Sequence, residues 1–331
     1  MDFFDNIILN KQILGNEQLI EQQNSLHIAF GIDANFTMGT GVLIYSILQH
    51  NNDNFIFHIF TDSIYENDIS RFTQLCDNYS NICIIIYHVN PNNFKHLPTE
   101  YIWTQAIYYR ILACECLSTE ISKVLYMDSD ILCLNSLNNL FQIPFNEKIA
   151  LVTGRVVKNN QIIKSMNINF KNSFYFYSGF MLINVKKWRD MQISQKFLEL
   201  FSHHDDFKYF DQDVLNILLQ KRIIPLEDYY HRVCPLVSLN TNCDSDTIFV
   251  HFAGSTKPWQ TWAKFHPLTK IWLSYKSKSP WYNVPLTSPK TYKQAKFMAK
   301  NLRKNHKVIA SIKWYIKYSL WKIKYKFVKR S

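Results

Sequence analysis

The sequence predicts an α/β protein in which helices cover both faces of a mostly parallel sheet, followed by a basic helical C-terminal extension. Two observations predict the sheet: apolar runs alternate with stretches of helical periodicity, and acids such as Asp33 and Asp128 directly follow apolar runs. The distribution of charge along the chain predicts the basic C-terminal extension. After Asp246 the chain carries 19 Lys and Arg and no acid, whereas the preceding part has 18 Lys and Arg against 26 acids.

The first half of the chain supplies the predicted core of the sheet. Leu26–Ile32 is a short apolar run ending in Gly-Ile-Asp, which predicts a strand, and Gly41–His50 has the pattern of a helix. Phe55–Phe60 is rich in β-forming residues, and Tyr65–Tyr79 is predicted as a polar helix. Ile82–Val89 is a continuous apolar run, typical of a buried strand. Strands joined by helices pair in parallel.

The second half continues the alternation. Trp103–Leu117 is predicted as a helix and Val124–Met127 as a strand that runs into Asp-Ser-Asp. A strand over Phe180–Val185, a helix over Gln212–Gln220 and a strand over Thr247–His251 follow. Because ligands of such sheets bind beyond the carboxyl ends of the strands, we expect the functional residues there.

Composition divides the chain and excludes several classes of protein. We predict an N-terminal arm over residues 1–25, a globular body over 26–275 and a basic, aromatic-rich segment over 276–331. The seven glycines form neither common Gly-rich nucleotide loop. The seven cysteines, an odd number without C-x-x-C, predict the reduced thiols of a cytosolic protein. Neither a secretory signal nor a membrane-spanning apolar stretch is visible, so we expect at most surface contact with a membrane.

Asp128-Ser129-Asp130 is the strongest local signal for chemistry. Two carboxylates at positions i and i+2 after a buried strand converge on one cation, and such hard oxygen ligands favour Mg²⁺ or Mn²⁺. A turn that uses Asp for local hydrogen bonds is the alternative. The position at the end of a buried strand favours the metal interpretation.

His251 follows a predicted strand and precedes a small-residue loop. An imidazole ligand moves the preference toward Mn²⁺, although a buried structural histidine is the alternative. In the loop, Gly254 permits close approach of the backbone and Lys257 offers a positive charge for phosphate. Together the three residues predict a diphosphate clamp without a P-loop.

Asp211-Gln212-Asp213 opens the predicted helix Gln212–Gln220. Acids at a helix N-terminus cap it and complement its dipole, which explains the two Asp residues without any catalytic role. Gln212 has no such explanation. Arg110, on the predicted helix upstream, is expected to pair with Asp211, with a ligand, or with nothing but solvent.

Several short sequence blocks follow one another along the chain. They are Ala29–Phe36 (AFGIDANF), Tyr109-Arg110, Lys123–Asp130 (KVLYMDSD), Ser178-Gly179, Leu182–Trp188 (LINVKKW), Asp211-Gln212-Asp213 and His251–Trp259 (HFAGSTKPW). In this order they resemble the retaining glycosyltransferases of family 8, over about residues 26–275. The run from Ser279 onward resembles the C-terminal appendage of the subgroup of lipopolysaccharide core 1,2-glucosyltransferases and 1,3-galactosyltransferases.

The resemblance implies a GT-A-type fold with a single Rossmann-like sheet, and a UDP-sugar donor bound together with Mn²⁺ or Mg²⁺. The implied metal ligands are Asp128, Asp130 and His251. The implied uridine site comprises Gly31, Asp33 and Asn35. Gly254 and Lys257 would contact the diphosphate.

The remaining implied roles concern the sugar. Arg110 and Asp211 would contact the donor hexose, Gln212 would lie near the anomeric carbon, and Ser129 and Ser178 would complete the donor site. The implied catalytic residues are therefore Gln212 and Asp211. Gln212 is a poor nucleophile, which favours same-face attack by the acceptor, while Asp211 or Asp213 as a nucleophile stays open. The chain departs from the family at Tyr177, where members often have Asn.

The predicted function is thus a metal-dependent, retaining hexosyltransferase that moves glucose or galactose from a UDP-sugar to the lipopolysaccharide core. We expect it on the cytoplasmic face of the inner membrane and without a nucleic-acid partner. One alternative is a haloacid-dehalogenase-type phosphatase, which also begins with strand-Asp-x-Asp but usually has Thr or Val where this chain has Leu132. The other is a non-enzymatic basic adaptor for membrane or nucleic acid.

The C-terminal segment predicts a membrane contact of its own. On a helical wheel it has an aliphatic stripe (Ile312, Ile316, Leu320, Ile323 and Phe327) opposite an aromatic side (Trp314, Tyr318, Trp321 and Tyr325), with lysines on both flanks. Aromatic residues and lysines suit the headgroup zone of an anionic leaflet, so we expect residues 290–331 to bind that surface. The alternative is that the stripe docks on the body.

Overall fold

The computed structural model of the chain describes residues 3–100, 103–137, 139–157, 162–163, 168–169, 173–204, 206–237 and 243–328. The strands are β1 Ile8–Gly15, β2 Leu26–Ile32, β3 Phe55–Thr61, β4 Ile82–Val89, β5 Lys123–Met127, β6 Ile131–Cys133, β7 Ala150–Val156, β8 Ile162–Ile163, β9 Ile168–Asn169, β10 Phe174–Asn184, β11 Ile223–Pro225, β12 His231–Val233 and β13 Phe249–His251. The α-helices are α1 Thr37–Leu48, α2 Glu66–Asn78, α3 Leu112–Glu115, α4 Val185–Asp190, α5 Ile193–His203, α6 Phe210–Leu218, α7 Pro267–Lys276, α8 Tyr292–Lys304 and α9 Val308–Val328. Single 3-10 turns and helices cover Glu17–Glu21, Pro91–Phe94, Gln105–Ile111 and Leu140–Gln142.

The main sheet has the strand order β1-β4-β3-β2-β5-β10-β7-β11 among the described residues. Its centre, β4-β3-β2-β5, is parallel throughout, and β11 is parallel to β7. The antiparallel pairings are those of β1 with β4 and of β10 with β5 and β7. The helices α2 and α6 pack on strands of this sheet, and α1 packs on β6. The predicted fold, a mostly parallel sheet flanked by helices, is therefore confirmed.

The central strands were predicted with good accuracy because they are buried on both faces. The predicted bounds of β2 and β4 coincide with the observed ones, and β3 is one residue longer than predicted. Every residue of β3 is buried. A strand covered on both sides consists of a continuous apolar run, which is easily recognised in a sequence.

The edges of the sheet differ from the prediction. The predicted N-terminal arm supplies the edge strand β1, in which Leu9 is 64% exposed and the apolar pattern is correspondingly weak. The strand β10 begins six residues before its predicted start, and its pairing register with β7 shifts between Phe176 and Met181.

The helix predicted over Trp103–Leu117 is a 3-10 helix over Gln105–Ile111 that continues into α3.

The chain divides into two compact units. The first comprises Met1–Arg232 with Asp244–Val250, and the second comprises Val233–Cys243 with His251–Ser331. The division falls inside β12 and β13, two strands of a small sheet with the order β12-β13-β6. Within the first unit, the Ile248 N–H, just before β13, donates to the Tyr229 carbonyl at 2.7 Å.

The second unit contains a pair of packed helices, α8 and α9. The side chain of Thr291 and that of Gln294 form a capping box that begins α8. Its buried side packs on Trp262, through Met298 and Leu302, and the Asn301 side chain donates to the Trp262 carbonyl at 2.7 Å. The helix α8 is thus part of the core of this unit.

The two sides of α9 have different surroundings. Trp314 packs against the Trp262 cluster, and the rings of Tyr318 and Tyr325 lie 6.3 and 5.2 Å from that of Tyr292 in α8. The aromatic side therefore faces α8, because its large rings fill the space between the helices. The aliphatic side chains of the stripe from 312 to 323 are each more than half exposed. Among the described residues, no helix has the length and apolar character needed to cross a membrane.

Gly31 provides a test of how the sheet positions the site. It lies in β2 beneath the 3-10 helix that carries Arg110, where a Cβ atom would be 2.9 Å from the Ala106 carbonyl oxygen and 2.9 Å from the Cβ of Tyr109. We expect Gly31→Ala to lower the free energy of unfolding by about 1–3 kcal/mol, because the helix and strand must separate. Urea denaturation measures this. An unchanged free energy would show that the close approach is not required.

Candidate active site

The carboxyl end of β2 holds Asp33 in a fixed position. Its side chain is 8% exposed, and its two oxygens accept the Asn35 N–H at 2.8 Å and the Thr104 hydroxyl at 3.0 Å. The side chain of Asn35 is exposed. This acid is thus rigid, and the exposed amide beside it is free to turn toward a ligand. Gly31, two residues earlier, serves close packing.

The carboxyl end of the neighbouring strand β5 holds the acid pair. Asp128 donates its N–H to the Gly179 carbonyl of β10 at 2.8 Å, and the hydroxyl of the intervening Ser129 lies 2.8 Å from that of Thr40 in α1. The Ser129 side chain is therefore turned into the protein, where it is 3% exposed. This contact helps to fix the turn from which Asp128 and Asp130 project.

Asp128, Asp130 and His251 form a cluster that fits a divalent cation. One potential ligand atom from each lies within 4.8 Å of the others. Asp130 immediately precedes β6, and His251 is the last residue of β13. Two carboxylates and an imidazole are a donor set suited to Mn²⁺ or a similar ion. The structure places the three predicted ligands close together, and their binding of a metal stays a prediction.

Arg110 joins the cluster of Asp128, Asp130 and His251 to a further acid, Asp211. Its side chain is 4% exposed and contacts Asp128 at 3.2 Å and Asp211 at 3.0 Å. Its Nε–H donates to the Ile107 carbonyl at 2.7 Å, and the guanidinium group lies 5.0 Å from the ring centre of Tyr126. A planar guanidinium has enough donors to hold two carboxylates at once. The pairing with Asp211 agrees with the first of the three predicted options, whereas the pairing with Asp128 was not predicted.

Asp211 is the second acid that Arg110 binds. It is 6% exposed and accepts the Ser178 hydroxyl at 2.9 Å. Burial raises its pKa from 3.8 to about 6, and Arg110 opposes that rise. Gln212, the next residue, accepts the Ser178 N–H at 3.3 Å through its side-chain oxygen. Ser178 thus positions both residues.

Gly254 and Lys257 lie in the second unit. Gly254 has a φ of +93°, a left-handed conformation that only glycine adopts without strain. The Lys257 ammonium donates to the Phe252 carbonyl at 3.2 Å, and the backbone N–H of Lys257 donates to the side-chain oxygen of Gln260 at 2.8 Å. The loop after β13 is therefore a compact turn that depends on its glycine.

Tyr177 occupies the position at which the chain departs from the family pattern. Its ring meets His231 edge-on at 6.1 Å, and His231 stacks on Phe180 at 4.7 Å. Burial raises the pKa of the Tyr177 phenol. The side chain is partly exposed, next to the Ser178 that binds Asp211. The sequence analysis missed Thr104, Thr40 and Tyr126 as supports of the site, since no local pattern distinguishes them.

Comparison with known families identifies the chain. A model of glycosyl transferase family 8 matches residues 27–263, and a model of the family 8 C-terminal region matches residues 266–322. The chain belongs to glycosyltransferase family 8. The predicted enzyme class, a hexosyltransferase, is confirmed.

Named relatives of this family 8 chain match it over nearly its full length. It is 32% identical to the lipopolysaccharide glucosyltransferase WaaO of Escherichia coli K12, covering 98% of this chain and 99% of WaaO. It is 31% identical to the lipopolysaccharide 1,3-galactosyltransferase of Salmonella typhimurium, covering 96% and 97%. The family 8 chain also resembles a crystal structure of the galactosyltransferase LgtC, with a TM-score of 0.64 at 22% identity over 80% of this chain and 98% of LgtC. The predicted GT-A-type fold is thereby confirmed.

The ionisation of Asp211 gives a prediction for stability. A carboxyl group whose pKa rises on folding binds its proton more tightly in the folded chain, so its contribution to stability falls as the pH rises from about 4 to 6 and is constant above that range. We expect the difference in unfolding free energy between the wild type and Asp211→Asn to change over this window. Urea titrations of the metal-free protein at several pH values measure it.

The control for this experiment is Asp190→Asn, which removes a carboxylate that is 56% exposed and paired with Lys186 at the surface. If Asp211→Asn and Asp190→Asn give parallel pH profiles, the ionisation assigned to Asp211 is wrong.

Proposed function

We propose that this family 8 enzyme transfers glucose or galactose from a UDP-sugar to the lipopolysaccharide core, with retention of anomeric configuration and with a divalent metal. The observation that carries the proposal is the cluster of Asp128, Asp130 and His251 joined through Arg110 to Asp211. Relatives named as lipopolysaccharide glucosyltransferases and a galactosyltransferase, at 28–32% identity over nearly the whole chain, support the acceptor class. They differ in the sugar they are named for, so both hexoses stay within the proposal.

Each residue of the donor site has a role that its chemistry supports. Mn²⁺, or Mg²⁺, held by Asp128, Asp130 and His251 would act as a Lewis acid that neutralises the negative charge of the leaving UDP. Asp33 and Asn35 hold the uridine, next to the close-packed Gly31. Gly254 and Lys257 bind the diphosphate, and Ser129 shapes the turn between the metal ligands.

The sugar end of the site is built from Arg110, Ser178, Asp211 and Gln212. Asp211 accepts hydrogen bonds from the hexose through the lone pairs that Arg110 and Ser178 leave available. The Gln212 amide is uncharged and a poor nucleophile. Same-face attack by the acceptor hydroxyl therefore suits this site better than a covalent intermediate, because the carboxylates on either side of Gln212, those of Asp211 and Asp213, are both held by hydrogen bonds.

We also propose where the domains of the chain begin and end. We propose that residues 26–275 form the catalytic domain, to whose sheet the N-terminal segment 1–25 adds the edge strand β1, and that 276–331 associate with acceptor and membrane. The separate family matches over 27–263 and 266–322 support a boundary in this region.

Metal dependence is the direct test of the function. We expect Asp130→Asn to lower UDP release from UDP-glucose and UDP-galactose by at least about 100-fold, because one carboxylate ligand and its charge are lost. His251→Ala should also reduce turnover and shift the metal preference away from Mn²⁺. Release is measured with truncated lipopolysaccharide acceptors, and Asp190→Asn is the control.

Near-normal turnover of Asp130→Asn in the presence of EDTA would overturn the metal assignment. Release of phosphate from phosphate esters, without any transfer to sugar acceptors, would favour the phosphatase alternative instead.

We also propose that α9 holds the enzyme on the anionic cytoplasmic face of the inner membrane. Its aliphatic side chains Ile312, Ile316, Leu320 and Ile323 are 53–60% exposed, an unusual arrangement for a row of apolar residues in water. The lysines that flank them include Lys313, Lys317 and Lys324. The apolar row would enter the boundary of the acyl chains, and the lysines on its flanks would pair with the lipid phosphates. This arrangement fits an anionic bilayer surface.

Substitution on the aliphatic stripe tests this proposal. We expect Ile316→Ser with Leu320→Ser to weaken binding to vesicles rich in phosphatidylglycerol by about tenfold or more, because two apolar side chains no longer enter the bilayer. The control is Leu9→Ser, which removes from β1 an apolar side chain that is similarly exposed, at 64%. Deletion of 290–331 is a poorer test, since α8 is part of the core of its unit. Equal binding by the double variant and the wild type would exclude the stripe as the contact.

A further inference from the structure

Two buried polar residues of α6 have no part in the site described above. Asp213 is 0% and Asn216 is 3% exposed. Both contact β10, the strand that also carries Ser178. A buried carboxylate and a buried amide each cost free energy unless their hydrogen bonds are made, so their contacts indicate what they do.

Asn216 binds the backbone of β10 as a neighbouring strand would. Its side-chain oxygen accepts the Phe176 N–H at 2.9 Å, and its NH₂ group donates to the Phe176 carbonyl at 3.0 Å. The same NH₂ group donates to the Gln212 carbonyl at 2.8 Å. Phe176 is the residue after which the pairing of β10 with β7 shifts its register. Asn216 thus couples this irregular point of the strand to the backbone of Gln212.

Asp213 fixes the turn that leads into α6. One carboxylate oxygen accepts the N–H groups of Lys208 at 2.8 Å and Tyr209 at 2.9 Å, and the other accepts the Tyr175 hydroxyl. Between these contacts lies Phe210, whose φ of +36° is strained for a residue with a side chain. The buried carboxylate holds the turn in this conformation.

The contacts follow one another along both elements. Tyr175 binds Asp213, Phe176 binds Asn216, and Ser178 binds Asp211 and Gln212. We propose that Asp213 and Asn216 are positioning residues, which clamp α6 on β10 so that Asp211 and Gln212 are held for the transfer reaction. Asp213 has its oxygens occupied by the clamp and is not the nucleophile. The inference rests on the proposed function for its kinetic consequence, but the clamp itself is a property of the fold.

The isosteric variant Asp213→Asn separates positioning from nucleophilic attack. The amide oxygen still accepts the two N–H groups, and the NH₂ group can donate to the Tyr175 oxygen. We expect Asp213→Asn to keep kcat within about tenfold of the wild type, and Asp213→Leu to lower it by at least about 100-fold with UDP affinity unchanged. Loss of a nucleophile would instead cost about 10⁴-fold or more in Asp213→Asn as well.

Asn216→Ala tests the other half of the clamp. We expect a lower kcat, with the affinity for UDP unchanged, since the nucleotide is held elsewhere. The matched control is Asn301→Ala, which removes a comparable side-chain bond to a backbone carbonyl in α8. It should lower stability and leave kcat unaltered.

Hydrogen exchange tests the clamp without any substrate. In Asp213→Leu the amides of residues 207–212 should exchange at least about tenfold faster than in the wild type, and in Asp213→Asn they should not. Inactive Asp213→Asn with slow exchange over 207–212, or wild-type kcat in Asn216→Ala, would overturn the inference. A wild-type enzyme that releases no UDP from any UDP-hexose would refute the proposed function, and the exchange result would still decide on the clamp.

Discussion

The candidate active site depends on one buried, positively charged side chain, that of Arg110. Arg110 lies between Asp128 and Asp211, which come from different elements and are 3.2 and 3.0 Å from its nitrogens. Without a cation between them, the partly exposed Asp128 and the buried Asp211 would repel each other, and Asp211 would be a costly unpaired charge. The guanidinium group, which also binds the Ile107 carbonyl and lies over Tyr126, removes that cost and sets the spacing of the two acids.

The sheet explains why these groups meet. The strands β2 and β5 are parallel neighbours, so the residues that follow them, Asp33 and Asp128, emerge at the same edge. Because β10 pairs with β5 in the opposite direction, the residues just before that pairing, Ser178 and Gly179, lie at the same edge. The antiparallel strand thus brings a hydroxyl donor for Asp211 and a backbone acceptor for the Asp128 N–H.

The sequence predicted the parts of this arrangement that have a local cause. The parallel strands β2 and β4 are apolar runs, and the D-x-D pair and the Asp-Gln-Asp segment are contiguous, so all of them could be recognised. The edge strand β1 could not be recognised, because its exposed residues obscure the alternation of apolar and polar positions. The contact of Arg110 with Asp128 spans two elements, and nothing local indicates which of several acids an arginine will select.

The prediction for α9 was limited for the same reason, since contacts between elements are not visible in a local pattern. The helical wheel separated the aliphatic and aromatic sides of the helix correctly, but it carried no information on which side faces the protein. Flat aromatic rings fill the space between two helices and stack on Tyr292, whereas the narrow aliphatic row has no such partner in α8. Large rings gain more from packing, so the aliphatic residues are left at the surface.

The acids of the site acquire different properties from their surroundings. Asp128 is 30% exposed at the side chain and clusters with Asp130 and His251. Asp211 is buried, and its pKa is raised to about 6 in spite of Arg110. Asp213, two residues further on, is enclosed by two backbone N–H groups and a tyrosine hydroxyl. Three chemically identical side chains thus have three different environments, which differ in burial and in the hydrogen-bond donors that each one contacts.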